Sequence, residues 1–346
     1  MANVRLVVDG VGYTGWHSVS IKRSLNEPVD SFELGVFDQW SGGRVRVRNG
    51  APYQLFVGDS LISTGYLCKV SRHYDSKTRS VSVSGRSKAA DLIDCSYPID
   101  TDPSSWNGLT VLQICNAIAK PFGVAVRDDS GLADQVLPQL TVNVGDKAMD
   151  VIQSCMRIIG ARLVSMANGN LQIVSASLHK LATPLELGKN VISADDDDNL
   201  ENRYSLYHVT SQKNGHDTQG VDSIESNRTD AVMKRLRYRP LTIAPSTMIN
   251  SQSEADALAR VACNVAAGES HTTTYEVHGW QHSEGVWTPN NQVKVVDAEC
   301  GWNDWLMIGT VTLLLDEEGQ RAHITVLPVS AYDITAEPQK EPEGMS

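Results

Sequence analysis

The chain has 346 residues, 41% of them hydrophobic, with a mean hydropathy of -0.23, which describes a globular protein of roughly two to four domains rather than a disordered chain. Its 41 acidic residues outnumber its 30 basic ones, and the resulting net charge of -11 speaks against a free-standing nucleic-acid binder with a basic stripe. The same acidic balance still allows DNA to slide past without sticking, because a negative wall repels phosphate.

Residues 1–95 alternate apolar and polar side chains almost throughout and predict a first small antiparallel β-barrel. Val4, Leu6 and Val8 lead to Asp9-Gly10, a hairpin turn signal. Strands are then expected at Trp16–Ile21, Phe32–Val36, Val45–Val47, Gln54–Val57, Gly65–Val70 and Val81–Val83, the last ending at Gly85.

Over 96–182 the period changes to that of an α/β insert with two helices and a hairpin. Thr110 is placed to cap a helix burying Val111, Ile114, Cys115 and Ile118, and a second helix follows Asp146 and stops at Gly160. Asn168-Gly169 predicts a type I′ hairpin. A second β-barrel is expected over 183–250 and 270–332, with strands at Tyr207–Thr210 and Arg235–Tyr238 around a polar loop, His216–Asp230. Ser251 and Glu254 form a capping box for a helix at 251–269, within or beside that barrel. Further strands are expected at Thr272–Val277, Val293–Val296, Leu306–Leu315 and His323–Leu327. Residues 333–346 are charged and proline-rich, which predicts a flexible tail.

A weak internal repeat supports two barrels of one type. Pro52, Gln54 and Asp59 precede Gly65 and Asp75, much as Pro289, Gln292 and Asp297 precede Gly309 and Asp316.

Few residues point to chemistry. Gly58-Asp-Ser60-Leu61 spells the block of the GDSL esterases, but an acyl-transfer serine needs a histidine base, and no Asp-x-x-His follows. Asp195–Asp198 lack the alternate spacing of a calcium loop and predict a solvated acidic loop. The histidines lack metal-ligand spacing, no two cysteines form a CxxC pair, and phosphate-binding glycine loops are absent, so no cofactor, metal or catalytic residue is expected. Alternating arginines in Arg44-Arg46-Arg48 and Lys234-Arg235-Arg237-Arg239 would share a strand face, solvated or set against an acidic subunit. Trp280, Trp287, Trp302 and Trp305 are expected in a core or interface; a carbohydrate-binding module would instead expose them. No run approaches the ~20 apolar residues of a membrane span, and Met1 leads at once into a strand, which predicts no signal peptide and no stable membrane insertion.

Ordered motifs carry the strongest signal: Thr14-Gly15-Trp16, Phe32 in Phe-Glu-Leu-Gly-Val, Thr64-Gly65-Tyr66, Gly85-Arg86 with Lys88 and Ala90-Asp91-Leu92-Ile-Asp94-Cys95, then Gly279-Trp280 with Trp287 and Pro289. Together they resemble the baseplate hub proteins of contractile-tailed phages, the phage Mu type in particular, over almost the whole chain. The resemblance implies a mainly β, non-enzymatic structural protein of the virion, assembled in the host cytoplasm, with two tail-tube-like barrels and an α+β insert. It implies a homotrimer joining a hexameric tail tube, or a distal tail protein, to a trimeric membrane-piercing spike. It also implies contacts with other baseplate proteins and the tape measure protein, and DNA only in passage. Related hub parts occur in R-type bacteriocins and type VI secretion spikes. The competing readings are an esterase using Ser60 and a β-rich carbohydrate-binding module.

Overall fold

The computed structural model describes residues 3–37, 47–76, 79–98, 103–212, 223–244 and 251–332. The expected strand at Val45–Val47, the arginines at 44 and 46, and the tail at 333–346 lie wholly or mostly outside these residues.

The first unit contains β1 (Val4–Val8), β2 (Val11–Tyr13), β3 (Ser18–Ser24), β4 (Ser31–Phe37), β5 (Pro52–Val57), β6 (Ser60–Tyr74) and β7 (Arg79–Ser87). Asp9 and Gly10 both take positive φ (50° and 78°), the type I′ geometry that joins β1 to β2. β7 does not stop at Gly85 but continues to Ser87, because Arg86 still pairs with both Ser31 of β4 and Tyr66 of β6, and Ser87 with Gly65. β6 also outruns its expected end at Val70 and reaches Tyr74.

A short helix, α1 (Ala90–Asp94), leads into the insert: β8 (Ser105–Thr110), α2 (Val111–Ala119), β9 (Val126–Asp128), β10 (Val136–Thr141), α3 (Ala148–Ile159), β11 (Arg162–Ser165) and β12 (Leu171–Val174). Thr110 caps α2 in a reciprocal box with Gln113, and Gly160 ends α3 at φ 67°. Val111, Ile114, Cys115 and Ile118 meet Val151, Ile152 and Cys155 in a core of the insert's own. The Asn168-Gly169 turn is not type I′. Only Gly169 has positive φ (82°), and Met166 pairs with Asn170 around a three-residue loop, the type I turn plus bulge.

Next come β13 (Leu185–Glu186) and β14 (Val191–Asp198). The expected acidic loop Asp195–Asp198 is thus the end of a strand. Pairing with its neighbour imposes extended backbone where side-chain propensity does not. Residues expected in the second barrel then leave the main sheet. β15 (Leu206–Gln212), β16 (Ser223–Thr229) and β17 (Pro240–Ile243) form a separate three-stranded sheet, covered by α5 (Gln252–Glu269). Arg235–Tyr238 is not a strand, because the Asp230 carboxylate accepts from the Val232 and Met233 amides and starts α4 (Ala231–Leu236). The basic cluster there consequently shares no strand face. The described part of the expected 216–230 loop is mostly β16.

The chain returns through β18 (His271–His278), β19 (Gln281–His282), β20 (Gly285–Val286), β21 (Gln292–Asp297), β22 (Trp302–Asp316) and β23 (Gly319–Pro328). The first and second β units join in one 13-stranded sheet. The first unit runs β3-β4-β7-β6-β5-β1, and the second runs β14-β18-β23-β22-β21-β13. The six places are filled in the same chain order, five of them alike and the sixth reversed, since β1 runs antiparallel to β5 and β13 parallel to β21. β6 and β22 are both 15-residue strands, and each shifts register near its middle, between Leu67 and Lys69 and between Ile308 and Thr310. Matching these shifts sets Leu55 against Val295 and Cys68 against Gly309, so the repeat visible in sequence is real but displaced by a few residues. The units meet where β3 pairs antiparallel with the C-terminal half of β22, Ile21 opposite Leu313. Both residues lie in a core shared by the two units.

Candidate functional site

No catalytic constellation assembles around the residues that resembled one. Gly58 and Asp59 form the two-residue loop of the β5–β6 hairpin, with Gly58 at φ 59°, the conformation that a type II′ turn demands of its first loop residue. Turn geometry therefore accounts for the Gly-Asp-Ser block, and Ser60 is the exposed first residue of β6. Trp280, Trp287 and Trp302 are at most 4% exposed, so they present no sugar platform. Among the described residues, no three His, Cys, Asp or Glu side chains form a metal-binding group, and no helix is long and apolar enough to cross a membrane. A cavity of about 660 Å³ opens between α3, α5 and the Leu25–Pro28 segment; Arg162, Asn264 and Glu269 line it, and burial pushes the Glu269 carboxyl up.

The motif residues of the first unit form a seam between sheet and insert. A methyl group on Gly65 would stand 1.9 Å from the Arg86 carbonyl oxygen, so β6 and β7 can cross this closely only at glycine. A methyl on Gly85 would meet the Phe32 ring at 2.6 Å and Tyr53 at 2.9 Å, and these rings pack edge to face. The Lys88 amide donates to the Thr64 carbonyl, and the Thr64 hydroxyl donates to the Ala167 carbonyl at the tip of the insert's hairpin. Arg86 pairs with Asp94 at 2.7 Å, and Leu92 is fully buried in the insert core. Asp91 closes α1, its carbonyl accepting from the Cys95 amide. Gly15, at φ 81°, turns the chain so that Trp16 enters the shared core.

In the second unit, Gly279 (φ 77°) donates its amide to Gln320, and the Trp280 indole donates to the Leu314 carbonyl at 2.8 Å. The Trp287 amide donates back to Trp280, and Pro289 is half-buried just beyond. These residues pin the 279–291 segment over β22 and β23.

Sequence reasoning missed the two outer features of the sheet. At its β14 end, Asp196 accepts from the Thr273 hydroxyl at 2.5 Å and pairs with His271 at 3.0 Å. Trp302 stacks on His271 and donates its indole N–H to Thr273. Nearby, burial pulls the Asp297 pKa up, but hydrogen bonds from Cys300, Tyr275 and Glu299 outweigh it and hold this carboxylate below its usual range. The second feature is the far half of β6, where Lys69, Arg72 and His73 are exposed. Its one sequence signal is the loss of apolar alternation after Val70.

A long repeated sheet with a helical insert packed against it is also the architecture of a solved phage tail protein. Three family models match in succession: Mu phage baseplate assembly protein GpP-like, N-terminal, over 3–87; baseplate hub protein gp44-like, second domain, over 89–175; and Mu phage baseplate assembly protein GpP, fourth domain, over 252–335. The chain belongs to the baseplate hub family of Mu-like phages, and is as such a component of the virion tail. It is 28% identical to baseplate hub protein gp44 of Escherichia phage Mu, over 98% of this chain and 91% of that one. The 43 kDa tail protein of prophage MuSo2 from Shewanella oneidensis superposes with a TM-score of 0.84 at 28% identity, covering 96% of this chain and all of that one. A tail protein from Neisseria meningitidis gives 0.81 at 20% identity, covering 96% and 98%.

Proposed function

We propose that three copies of this chain form the adaptor between a hexameric tail tube and a trimeric membrane-piercing spike, and enclose part of the channel through which DNA leaves the particle. The carrying observation is the strand order repeated along one chain. Three chains with two alike units each present six quasi-equivalent surfaces to a sixfold ring, while their unique parts keep true threefold symmetry for the spike. The insert, held to the sheet through Thr64, Lys88 and Gly169, supplies such a unique surface. On this reading the motif residues from Gly15 to Pro289 act through packing, and the remaining partners are the distal tail protein, other baseplate proteins and the tape measure.

Sedimentation of the purified protein, alone and with its spike, tests the proposal. Three 37.7 kDa chains per particle and co-sedimentation with the spike are expected. A monomer that ignores the spike at all concentrations would refute it.

A further inference from the structure

The sheet ends in two unequal edges whose fit can be read from the joint inside the chain. β3 pairs with β23's neighbour β22 along the stretch Thr310–Leu315, on the side of β22 that faces away from β23. By the matched register shifts, the equivalent of that stretch in the first unit is Lys69–Tyr74 of β6. Among the described residues no strand covers it: β5 pairs with β6 only up to Tyr66, and β7 takes the other side. The equivalent of β3 is β14, the terminal strand of the sheet; among the described residues its Ala194–Asp198 stretch pairs only with β18, and its one further bridge, Val191 to Leu187, lies outside that stretch. Thus the chain contains one complete joint and the two separate halves of a second.

Resting on the trimeric reading above, we infer that β14 of each copy adds antiparallel to the Lys69–Tyr74 stretch of β6 in the next copy, closing a ring of six joints, three within chains and three between them. Transferring the β3–β22 register fixes the pairs. Ala194 falls opposite Tyr74, Asp195 opposite His73, Asp196 opposite Arg72, Asp197 opposite Ser71 and Asp198 opposite Val70. Lys69 comes diagonal to Asp197, within reach of a long side chain.

The charges suit the pairing of these two edges, and the transferred joint sets its register. At the inner joint the central pair is apolar, Ile21 on Leu313, and both are buried. At the outer joint the same place brings a carboxylate to an arginine, and the next brings a carboxylate to a histidine. A one-residue slip would move these side chains to opposite faces of the sheet. The occupant is therefore a second copy of this chain, whose acidic strand sets Asp196 and Asp195 against Arg72 and His73. The arrangement also explains how so long an exposed edge stays soluble: four successive aspartates discourage pairing with any strand that lacks the matching basic residues.

A site-directed bridge tests this. In a Cys68→Ser/Cys95→Ser background, which removes the exposed thiols, Ser71→Cys and Asp197→Cys are combined and treated with the short thiol bridger dibromobimane. Most chains are expected to run as covalent dimers and trimers under denaturing conditions. Ser71→Cys with Ser193→Cys, about four residues out of register, is expected to give at least tenfold less bridging. Arg72→Glu in the otherwise native chain is expected to raise the trimer dissociation constant tenfold or more. Trimers by sedimentation with no 71–197 bridge, or with equal bridging of the 71–193 pair, would overturn the strand pairing and leave the adaptor reading intact. A monomer in sedimentation and bridging alike would overturn both.

Discussion

Where the first unit places Ile21, Phe32 and Leu34, the second unit places Asp196, Thr273 and Tyr275 at the matching positions of the ladder. The first set packs by shape: Phe32 lies edge-on to Tyr53 and Leu34 is fully buried. The second set packs by hydrogen bonds that run from His271 and Asp196 through Thr273 to Trp302, and from Tyr275 to Asp297. One strand order is thus served by two chemistries. An apolar layer tolerates small adjustments of side chains, whereas a buried polar chain is stable only while every member keeps its partner. The polar version lies at the end of the sheet, where an apolar one would leave a sticky edge.

The close crossings break the comparison most sharply. Gly65→Ala drives a methyl group into the backbone of Arg86 and Ser87, at 1.9 and 2.7 Å, and backbone cannot step aside. We expect a loss of more than about 4 kcal/mol, seen as a chain that fails to fold or melts far below the wild type. Gly309→Ala meets the Leu327 methyl at 2.7 Å and the Tyr332 hydroxyl at 2.8 Å, both ends of side chains, while the nearest backbone atom, the Thr325 oxygen, stays at 3.8 Å. Its expected cost is about 1–3 kcal/mol in urea denaturation. Equal effects would mean that the two units do not differ in how their long strands are held.

The connections between matched strands sharpen the contrast further. The first unit passes from β3 to β4 through Leu25–Asp30, where Arg23 stands 3.6 Å from Asp30, an ion pair just beyond hydrogen-bond length. The second unit places its whole three-stranded sheet in the same position. There Arg203 meets Asp230 at 2.7 Å and also donates to Ser270, which ties α4 to the end of α5. Both side chains are under 10% exposed, so Arg203→Ala strands a buried carboxylate and is expected to cost about 3–5 kcal/mol in chemical denaturation.

The looser pair also carries a pH signature. Burial pushes the Asp30 carboxyl up to about 6, and Arg23 offsets this only in part. Between pH 4 and 6 the folded chain then binds a proton that the unfolded chain does not. This group therefore adds stability as pH falls through that window and withdraws it as pH rises, by roughly 1–3 kcal/mol. Asp30→Asn should flatten the rise in unfolding free energy between pH 7 and 5. An unchanged slope would show that Arg23 already compensates the buried charge.

Local signals explain what was legible in the sequence. Thr110 and Gly160 bound their helices because capping and left-handed backbone are decided within one turn. Asp9-Gly10 gave its hairpin for the same reason. Alternation, however, shows which residues form strands and not which sheet receives them, so Tyr207–Thr210 was placed in the wrong one. Asp195–Asp198 gave no strand signal, because their extended shape comes from hydrogen bonds to β18. The repeat could not be aligned from glycine and proline alone. Gly65 marks a close crossing, Gly309 marks a register shift, and Pro289 lies outside any strand. The motif residues of the seam were visible, but their role needs the insert's hairpin tip, roughly 80 residues away from Lys88 in the chain, to be folded against them.

The smallest effect separates a motif's prominence from its energetic weight. Arg86 is part of the most conspicuous stretch of the sequence, and its partner Asp94 is only 2.7 Å away, yet the two side chains are 33% and 53% exposed. Water screens such a pair, and holding two long side chains in one geometry costs entropy, so Arg86→Ala is expected to lose less than about 1 kcal/mol. The matching position in the second unit is Leu327, 2% exposed beside Met307 and Tyr332, where truncation to alanine should cost about 2–4 kcal/mol. Thermal denaturation of the two variants side by side checks the ratio. If Arg86→Ala proved the costlier change, the ion pair would have to hold the insert against the sheet, and the hydrogen bonds of Thr64 and Lys88 would not suffice for that task.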